Sequence, residues 1–562
     1  MRRTLLALIV VLFLGRAASA GITAATCARA SGNGGAQCLR DYADTLAACR
    51  LHDDTACEMA ARAPGGPLET ILDATGEAAA ARCNEATADT LGYLGIEDLG
   101  FRVPEACADF GEDLIGIGFA DSAMPAFVDC QGIVGHALDK LRNAVVRAYG
   151  PGCYVPQLGG GRCKRPRRDN VVAHATGGAR RKILMRCEAA FDALELVPLD
   201  AAPDVGSRVD ALLALVVQRA RHFAQRVYPP NDLGPTAEFG PFPVGVTTLA
   251  LEDPSRQNVA GTGPRPVTVE LYYPSTAAAV AGVPEDIVNV LGIDIVTTPA
   301  FRDVARAPGT FPLVLFSHGN GGIRFQSFFF GAHLASHGFV VASPDHHGNT
   351  FVDALRNIID PDVATNRPLD MSFLLDTLLA TDPGLDSARI GVSGHSFGGY
   401  TAFAVAGGAF ALGTFTDPRV KAIMPQAPAS SVFPASFFDA IHIPTLIVGG
   451  SIDETTPFPE EQQRAFDLLP AGAAVVGLAQ LTDAGHFTFS DFCEVPRNLL
   501  AFLGGFDEAC EPRHLPWRHA HDIVNFLSLN FFDGVLNGNP DALARLAPAN
   551  LAAIEDLVYE SK

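Results

Sequence analysis

Hydrophobic spacing divides the chain into two regions. From Gly21 to about Pro235, apolar residues recur at helical intervals and strand signals are few. Asp41–Arg50, Gly76–Leu94, Gln131–Tyr149 and Val205–Val227 have helical character, and Leu212, Leu213, Leu215, Val216 and Phe223 mark one buried face on the last. Tyr228–Pro235, with three prolines, reads as a linker. Beyond it the pattern shortens. Val244–Leu251 and Pro266–Tyr273 read as strands, the second with alternating residues. Pro312–Phe316, Phe339–Ala342, Arg389–Ser393, Val420–Met424, Thr445–Val448 and Ala474–Leu478 are compact apolar runs of strand length. Helical patterns at Ser327–His337, Leu369–Leu379, Tyr400–Phe410 and Gln462–Leu469 fall between them. Such alternation predicts an α/β fold with a mostly parallel, doubly wound sheet. Ala277–Arg302 is an insertion of mixed signals, and the chain beyond Glu494 reads as mainly helical.

Length and composition add an address. A chain of 562 residues is too long for one ordinary domain. It begins with Arg2 and Arg3, an apolar run Leu5–Leu14 and an A-x-A site at Ala18–Ala20. That is the layout of a cleaved signal peptide, with the mature chain starting at Gly21. The run is too short to span a bilayer, so a secreted or periplasmic protein is expected. Ten of the 12 cysteines lie between Cys27 and Cys187, and no C-x-x-C pair occurs. In an exported chain this implies a disulfide framework in preference to zinc. Cys493 and Cys510, the two that remain, are expected to pair with each other across a helix at Pro496–Leu503 and a turn at Gly504–Gly505. A net charge of −21 argues against nucleic acid or an anionic membrane as the main partner. The basic run Arg162–Arg168 reads as a solvated loop. His136 and His174 read as surface or internally satisfied histidines, His514, His519 and His521 as surface histidines, and His346 and His347 as pocket-edge residues.

The chemistry centres on Gly394-His395-Ser396-Phe397-Gly398. A G-x-S-x-G pentapeptide is a weak signal in a chain with 55 glycines, but here a strand precedes it and a helix follows. That context is a nucleophile elbow, in which a sharp turn lifts the serine clear of the sheet. A serine hydroxyl needs a base, and the base an orienting acid. Asp453, after the strand PTLIVGG, is the candidate acid, with Glu454 the neighbouring carboxylate that could replace it. His486, in the loop Thr482–Phe487, is the candidate base, and Asp483 reads as a turn residue. An oxyanion hole needs two N–H donors. The backbone of Phe397 and that of Asn320, in the Ser317–Gly322 loop, are assigned to it. His318, Phe325 and His395 are the candidate lining of the substrate pocket; Phe325–Phe330 divides between helix core and acyl pocket. This chemistry calls for no metal or other cofactor.

Pro312–Asp345, with FSHGNGG and LASHGFVVASPDH, together with GHSFGG and HFTFSDF, resembles the platelet-activating-factor acetylhydrolases and dienelactone-hydrolase-like esterases. IVGGSIDETTP resembles bacterial cutinases and polyester hydrolases, in which the acid follows this strand. In the acetylhydrolases the acid lies one strand earlier. There this chain has Met424-Pro425-Gln426-Ala427, with no carboxylate, which leaves the role to Asp453. The resemblance spans about Val244–Phe532 and implies an α/β-hydrolase fold and a serine esterase reaction. The expected organisation is a signal peptide at 1–20, a cysteine-rich helical domain at 21–235, and a catalytic domain at 236–562 with a helical C-terminal extension. The expected activity is hydrolysis of lipid-like or other acyl esters. Polyester hydrolysis, or a non-catalytic binding role on a hydrolase scaffold, are the alternatives. The N-terminal domain is a candidate docking module for a surface, polymer or protein partner.

Overall fold

The computed structural model describes residues 2–50, 55–81, 83–84, 87–88, 91, 93, 95–118, 128–158, 161–188, 191, 204–228, 233–234, 236–495 and 510–562. Side chains of the first helix are described from Ala25 onward. The expected linker residues 229–232 and 235, the helix at 496–503 and the turn at 504–505 lie outside the described residues. The chain forms two compact units, Met1–Asp232 with Glu511–His519, and Leu233–Cys510 with Ala520–Lys562.

The first unit is helical: α1 (Arg2–Arg50), α2 (Thr55–Arg62), α3 (Pro67–Ala80), α4 (Gly95–Gly118), α5 (Val128–Tyr149), α6 (Arg165–Cys187) and α7 (Val205–Val227). Asp204 caps α7 by accepting the Ser207 N–H at 2.9 Å. Val209, Leu212, Leu213, Val216 and Phe223 of α7 enter the core, with the Phe223 ring 5.6 Å from that of Phe110. Five disulfides staple the unit: Cys27–Cys83, Cys38–Cys107, Cys49–Cys57, Cys130–Cys187 and Cys153–Cys163. Three of them join residues 56 to 69 positions apart. Closing loops of that length stabilises by about 4 kcal/mol each in the chain-entropy model.

Two readings are corrected here. The helix expected at Gly76–Leu94 is α3, which starts earlier because Pro67 occupies its first turn. It stops at Ala80, and Asn84 then accepts the Thr87 N–H at 2.9 Å in a local turn. The basic run does not form a loop throughout: Arg165 opens α6, and Arg168 is buried with its guanidinium 4.4 Å from the Tyr149 ring centroid.

The second unit is built on a ten-stranded sheet in the order β12-β11-β10-β9-β8-β6-β7-β2-β1-β5. The strands are β1 (Val244–Gln257), β2 (Pro264–Pro274), β5 (Phe301–Arg302), β6 (Phe311–Ser317), β7 (Val340–Pro344), β8 (Leu385–His395), β9 (Ala422–Gln426), β10 (Thr445–Gly450), β11 (Val476–Leu481) and β12 (Leu557–Ser561). β3 (Ile287–Val290) and β4 (Ile293–Thr297) form a separate hairpin. From β7 through β6, β8, β9 and β10 to β11, neighbours are parallel. Every residue of β6, β7, β9 and β10 is buried, as parallel strands covered on both faces require. The helices α8 (Phe328–Ser336), α9 (Val363–Thr381) and α10 (Phe397–Ala404) fall between these strands in the chain. This is the α/β-hydrolase fold, accompanied by a cysteine-rich helical unit.

The mainly helical reading of the tail missed β12, which pairs antiparallel with β11 from Gly477↔Ser561 to Leu481↔Leu557. The insertion Ala277–Arg302 holds the β3–β4 hairpin, which turns at Leu291-Gly292 with φ of 54° and 86°. Cys493 pairs with Cys510. The three C-terminal histidines are buried, not at the surface: His514 is 1% exposed, His519 3% and His521 6%. The His521 ring stacks on Phe329 at 3.6 Å between centroids.

Candidate active site

The elbow is set by two glycines and one strained residue. β8 ends at His395 and α10 begins at Phe397, so Ser396 alone makes the turn, at φ 58° and ψ −116°. A Cβ on Gly394 would lie 2.5 Å from the Gly398 carbonyl oxygen, and one on Gly398 would lie 1.7 Å from that of Ser317. Neither position has room for a side chain. Positive φ on a non-glycine residue costs of order 1–3 kcal/mol and is held only where surrounding packing dictates it.

The three candidate catalytic side chains meet. The Ser396 hydroxyl donates to His486 Nε2 at 2.9 Å, and His486 Nδ1–H donates to Asp453 Oδ2 at 2.8 Å. This assigns the imidazole the tautomer that a general base needs. Asp453 Oδ1 accepts from the Thr455 and Thr456 N–H groups, at 2.9 and 2.7 Å, and Oδ2 accepts from the Thr456 hydroxyl as well, at 2.8 Å. Glu454 points to solvent, and Asp483 is a turn residue at φ 61°. At the end of β9 stand Gln426, fully buried, and Ala427.

The loop after β6 is braced from within. Gly319 N–H donates to Gln326 Oε1 at 3.0 Å, Gln326 Nε2 donates to His395 Nδ1 at 2.9 Å, and His395 Nε2–H donates to the His486 carbonyl at 2.8 Å. His318 Nδ1–H donates to the Gly319 carbonyl at 2.7 Å, while its Nε2 accepts the His346 N–H at 3.1 Å. Among the described residues, the Asn320 and Phe397 amides donate to no acceptor within the chain. His318 and His395 are each 1% exposed and brace the loops through these bonds. Phe325 lines an apolar recess of about 140 Å³ shared with Val288, Ile295, Phe328, Phe351 and Phe492. Phe330 belongs to the core instead, 5.1 Å from Phe316 between ring centroids. His346 is not at a pocket edge: it is buried, with Nδ1–H donating to Asp370 at 2.9 Å and Nε2 accepting from the Ser317 hydroxyl at 2.8 Å. Gln326 and Thr456 carry no motif that would have marked them in the sequence.

Buried neutral histidines make this unit acid-sensitive. Burial holds His318 and His395 well below the usual imidazole range, and lowers His346 to about 4 and His333 to about 3. Each is free to protonate only when the chain unfolds, at a pKa of about 6.5. Above that pH the two states bind equal protons and these groups cost nothing. As pH falls from 6.5 toward 4, the unfolded state binds more protons and stability drops, by up to about 1.4 kcal/mol per pH unit for each histidine. Burial raises the Asp345 and Asp491 carboxyls, which act in the opposite direction but are fewer than the lowered histidines. The melting temperature should therefore fall between pH 7 and pH 5. A flat or rising midpoint in a scanning calorimeter would contradict this account.

Comparison with known proteins finds similarity to ester hydrolases. The Chlorophyllase family model matches residues 295–424. Cutinase 2 of Thermobifida cellulosilytica is 29% identical over 187 residues, 32% of this chain and 63% of that protein. Cutinase est1 of Thermobifida alba is 30% identical over 188 residues, 32% of this chain and 55% of the relative. A bis(hydroxyethyl) terephthalate hydrolase of Streptomyces coelicolor is 28% identical over 188 residues, 34% of this chain and 54% of the relative. The chain thus spans between about half and under two thirds of the length of these curated relatives. A ferulic acid esterase structure from Streptomyces cinnamoneus aligns at a TM-score of 0.43 and 27% identity, covering 57% of this chain and 96% of that one. The chain resembles the α/β-hydrolase serine esterases of the cutinase and polyester-hydrolase kind.

Proposed function

We propose that this protein is an exported serine ester hydrolase working through an acyl-enzyme on Ser396. The observation that carries the reading is the unbroken line of hydrogen bonds Ser396–His486–Asp453. His486 Nε2 takes the hydroxyl proton as Ser396 Oγ attacks the ester carbonyl carbon. The resulting oxyanion is met by the Asn320 and Phe397 amides. His486 then gives its proton to the departing alkoxide, which leaves as the alcohol, and Ser396 stays acylated. Water, deprotonated by His486, attacks the acyl carbon; the acid leaves and the serine hydroxyl is restored. Such an intact arrangement argues against a merely binding role.

The apolar recess beside Gly321, Gly322 and Phe325 favours esters with an apolar acyl or alcohol portion. The named activities of the relatives favour polyester-like substrates over phospholipids. We place the cleaved signal peptide at 1–20 and the protein outside the cytoplasm, a location supported by the disulfides of the first unit. Boundaries at 21–235 and 236–562 remain our division of the mature chain. Docking to a surface, polymer or protein is our assignment for the helical domain.

The test is a p-nitrophenyl ester series from acetate to palmitate, run beside bis(hydroxyethyl) terephthalate, on the mature protein. Turnover of at least one series, abolished by a serine-directed phosphonate, is expected. No turnover of any member would refute the enzyme reading.

A further inference from the structure

We infer that Arg367 is a positioning residue for this reaction, its guanidinium aiming both oxyanion-hole donors, the N–H of Asn320 and the N–H of Phe397. The inference rests on the serine mechanism proposed above.

Arg367 lies on α9 and is fully buried. Its Nη1 donates to the His318 carbonyl at 2.8 Å and to Ser317 Oγ at 3.2 Å. Its Nη2 donates to the carbonyls of His318 at 2.8 Å and Gly319 at 3.1 Å. The last contact matters most. The Gly319 carbonyl and the Asn320 N–H belong to one peptide unit, which is planar and trans. Holding its oxygen on one side aims its N–H at the other. His318 Nδ1–H and the Gly322 N–H donate to the same carbonyl, at 2.7 and 3.1 Å, so the peptide is held by three donors, of which Arg367 carries the charge. The Asn320 side chain is tied as well: Arg367 Nε donates to Asn349 Oδ1 at 3.1 Å, and Asn349 Nδ2 donates to Asn320 Oδ1 at 2.8 Å. On the other side, the guanidinium carbon stands 4.6 Å from the ring centroid of Phe397, whose amide is the second donor. One side chain therefore touches both halves of the hole, which come from strands β6 and β8.

The cation also contributes charge. The hydrogen-bond acceptors of Arg367 are backbone carbonyl, hydroxyl and side-chain amide oxygens, not carboxylates. Asp370 is reached only through Ser317 and His346. Burying a guanidinium without a carboxylate in contact is expensive, and burial lowers its pKa to about 9, which still leaves it charged at neutral pH. A positive charge behind the Gly319–Asn320 peptide polarises it and strengthens its N–H as a donor. That gain grows as negative charge develops on the substrate oxygen, so it favours the transition state over bound substrate.

The test compares wild type with Arg367→Gln and Arg367→Lys on p-nitrophenyl butyrate, together with inhibition by an aryl trifluoromethyl ketone, whose serine adduct places an oxyanion in the hole. Arg367→Gln should lower kcat about 100- to 1,000-fold, the usual cost of losing an oxyanion donor. Its KM should stay within about threefold, and its trifluoromethyl ketone Ki should rise in proportion to the loss in kcat/KM. Arg367→Lys should recover part of both losses. If Arg367→Gln does not fold, as judged by circular dichroism, the lysine variant decides by the same proportionality. Unchanged kcat, or a fall in kcat/KM with unchanged Ki, overturns the role. Failure of the ketone to inhibit wild type would instead refute the serine mechanism.

Discussion

Ser396→Ala should reduce kcat by roughly five to six orders of magnitude, the scale seen when a serine hydrolase loses its nucleophile. Only the bond-forming atom is removed. Backbone strain at φ 58° is the same for alanine, and the hydroxyl bonds to His486 without any recorded part in packing. The melting temperature should thus stay within a few degrees of wild type. A fluorophosphonate should label wild type at Ser396 with one equivalent and leave the variant unlabelled. Labelling on another residue, or activity above about a tenth of wild type, would remove Ser396 from the mechanism.

Asp453→Asn should lower kcat about 10,000-fold, while Glu454→Gln should stay within about twofold. In the native site Asp453 Oδ1 accepts from two backbone N–H groups and Oδ2 accepts from His486 Nδ1. An asparagine keeps its carbonyl oxygen on the backbone pair and turns its NH₂ toward His486. Nδ1 must then accept, the proton moves to Nε2, and Nε2 loses the lone pair that receives the serine proton. Binding groups are untouched, so KM should hardly change. The opposite pair of results would give the acid role to Glu454.

The parallel strands were readable because burial on both faces leaves an uninterrupted apolar signature. Ser396, Asp453 and His486 were readable because each follows such a strand in a fixed chain order. β12 was not: it is a short edge strand with one residue buried of five, LVYES. Arg367, Gln326 and Asn349 were hidden for a different reason. Their partners lie 7 to 69 positions away, and in a linear sequence a buried polar residue looks like a surface one. The C-terminal histidines misled for the same reason, since nothing local tells a buried imidazole from an exposed one.

The chain of bonds from Gly319 through Gln326 and His395 to the His486 carbonyl joins two loops that are 167 positions apart in sequence. One loop carries the proposed oxyanion donor and the other the proposed base. Because every donor in the chain has a single acceptor, loosening either end leaves buried polar atoms unmatched at the other. Opening of one loop is therefore coupled energetically to opening of the other. A half-assembled site, able to deprotonate the nucleophile but not to receive the charge that follows, is thereby kept rare in the native ensemble.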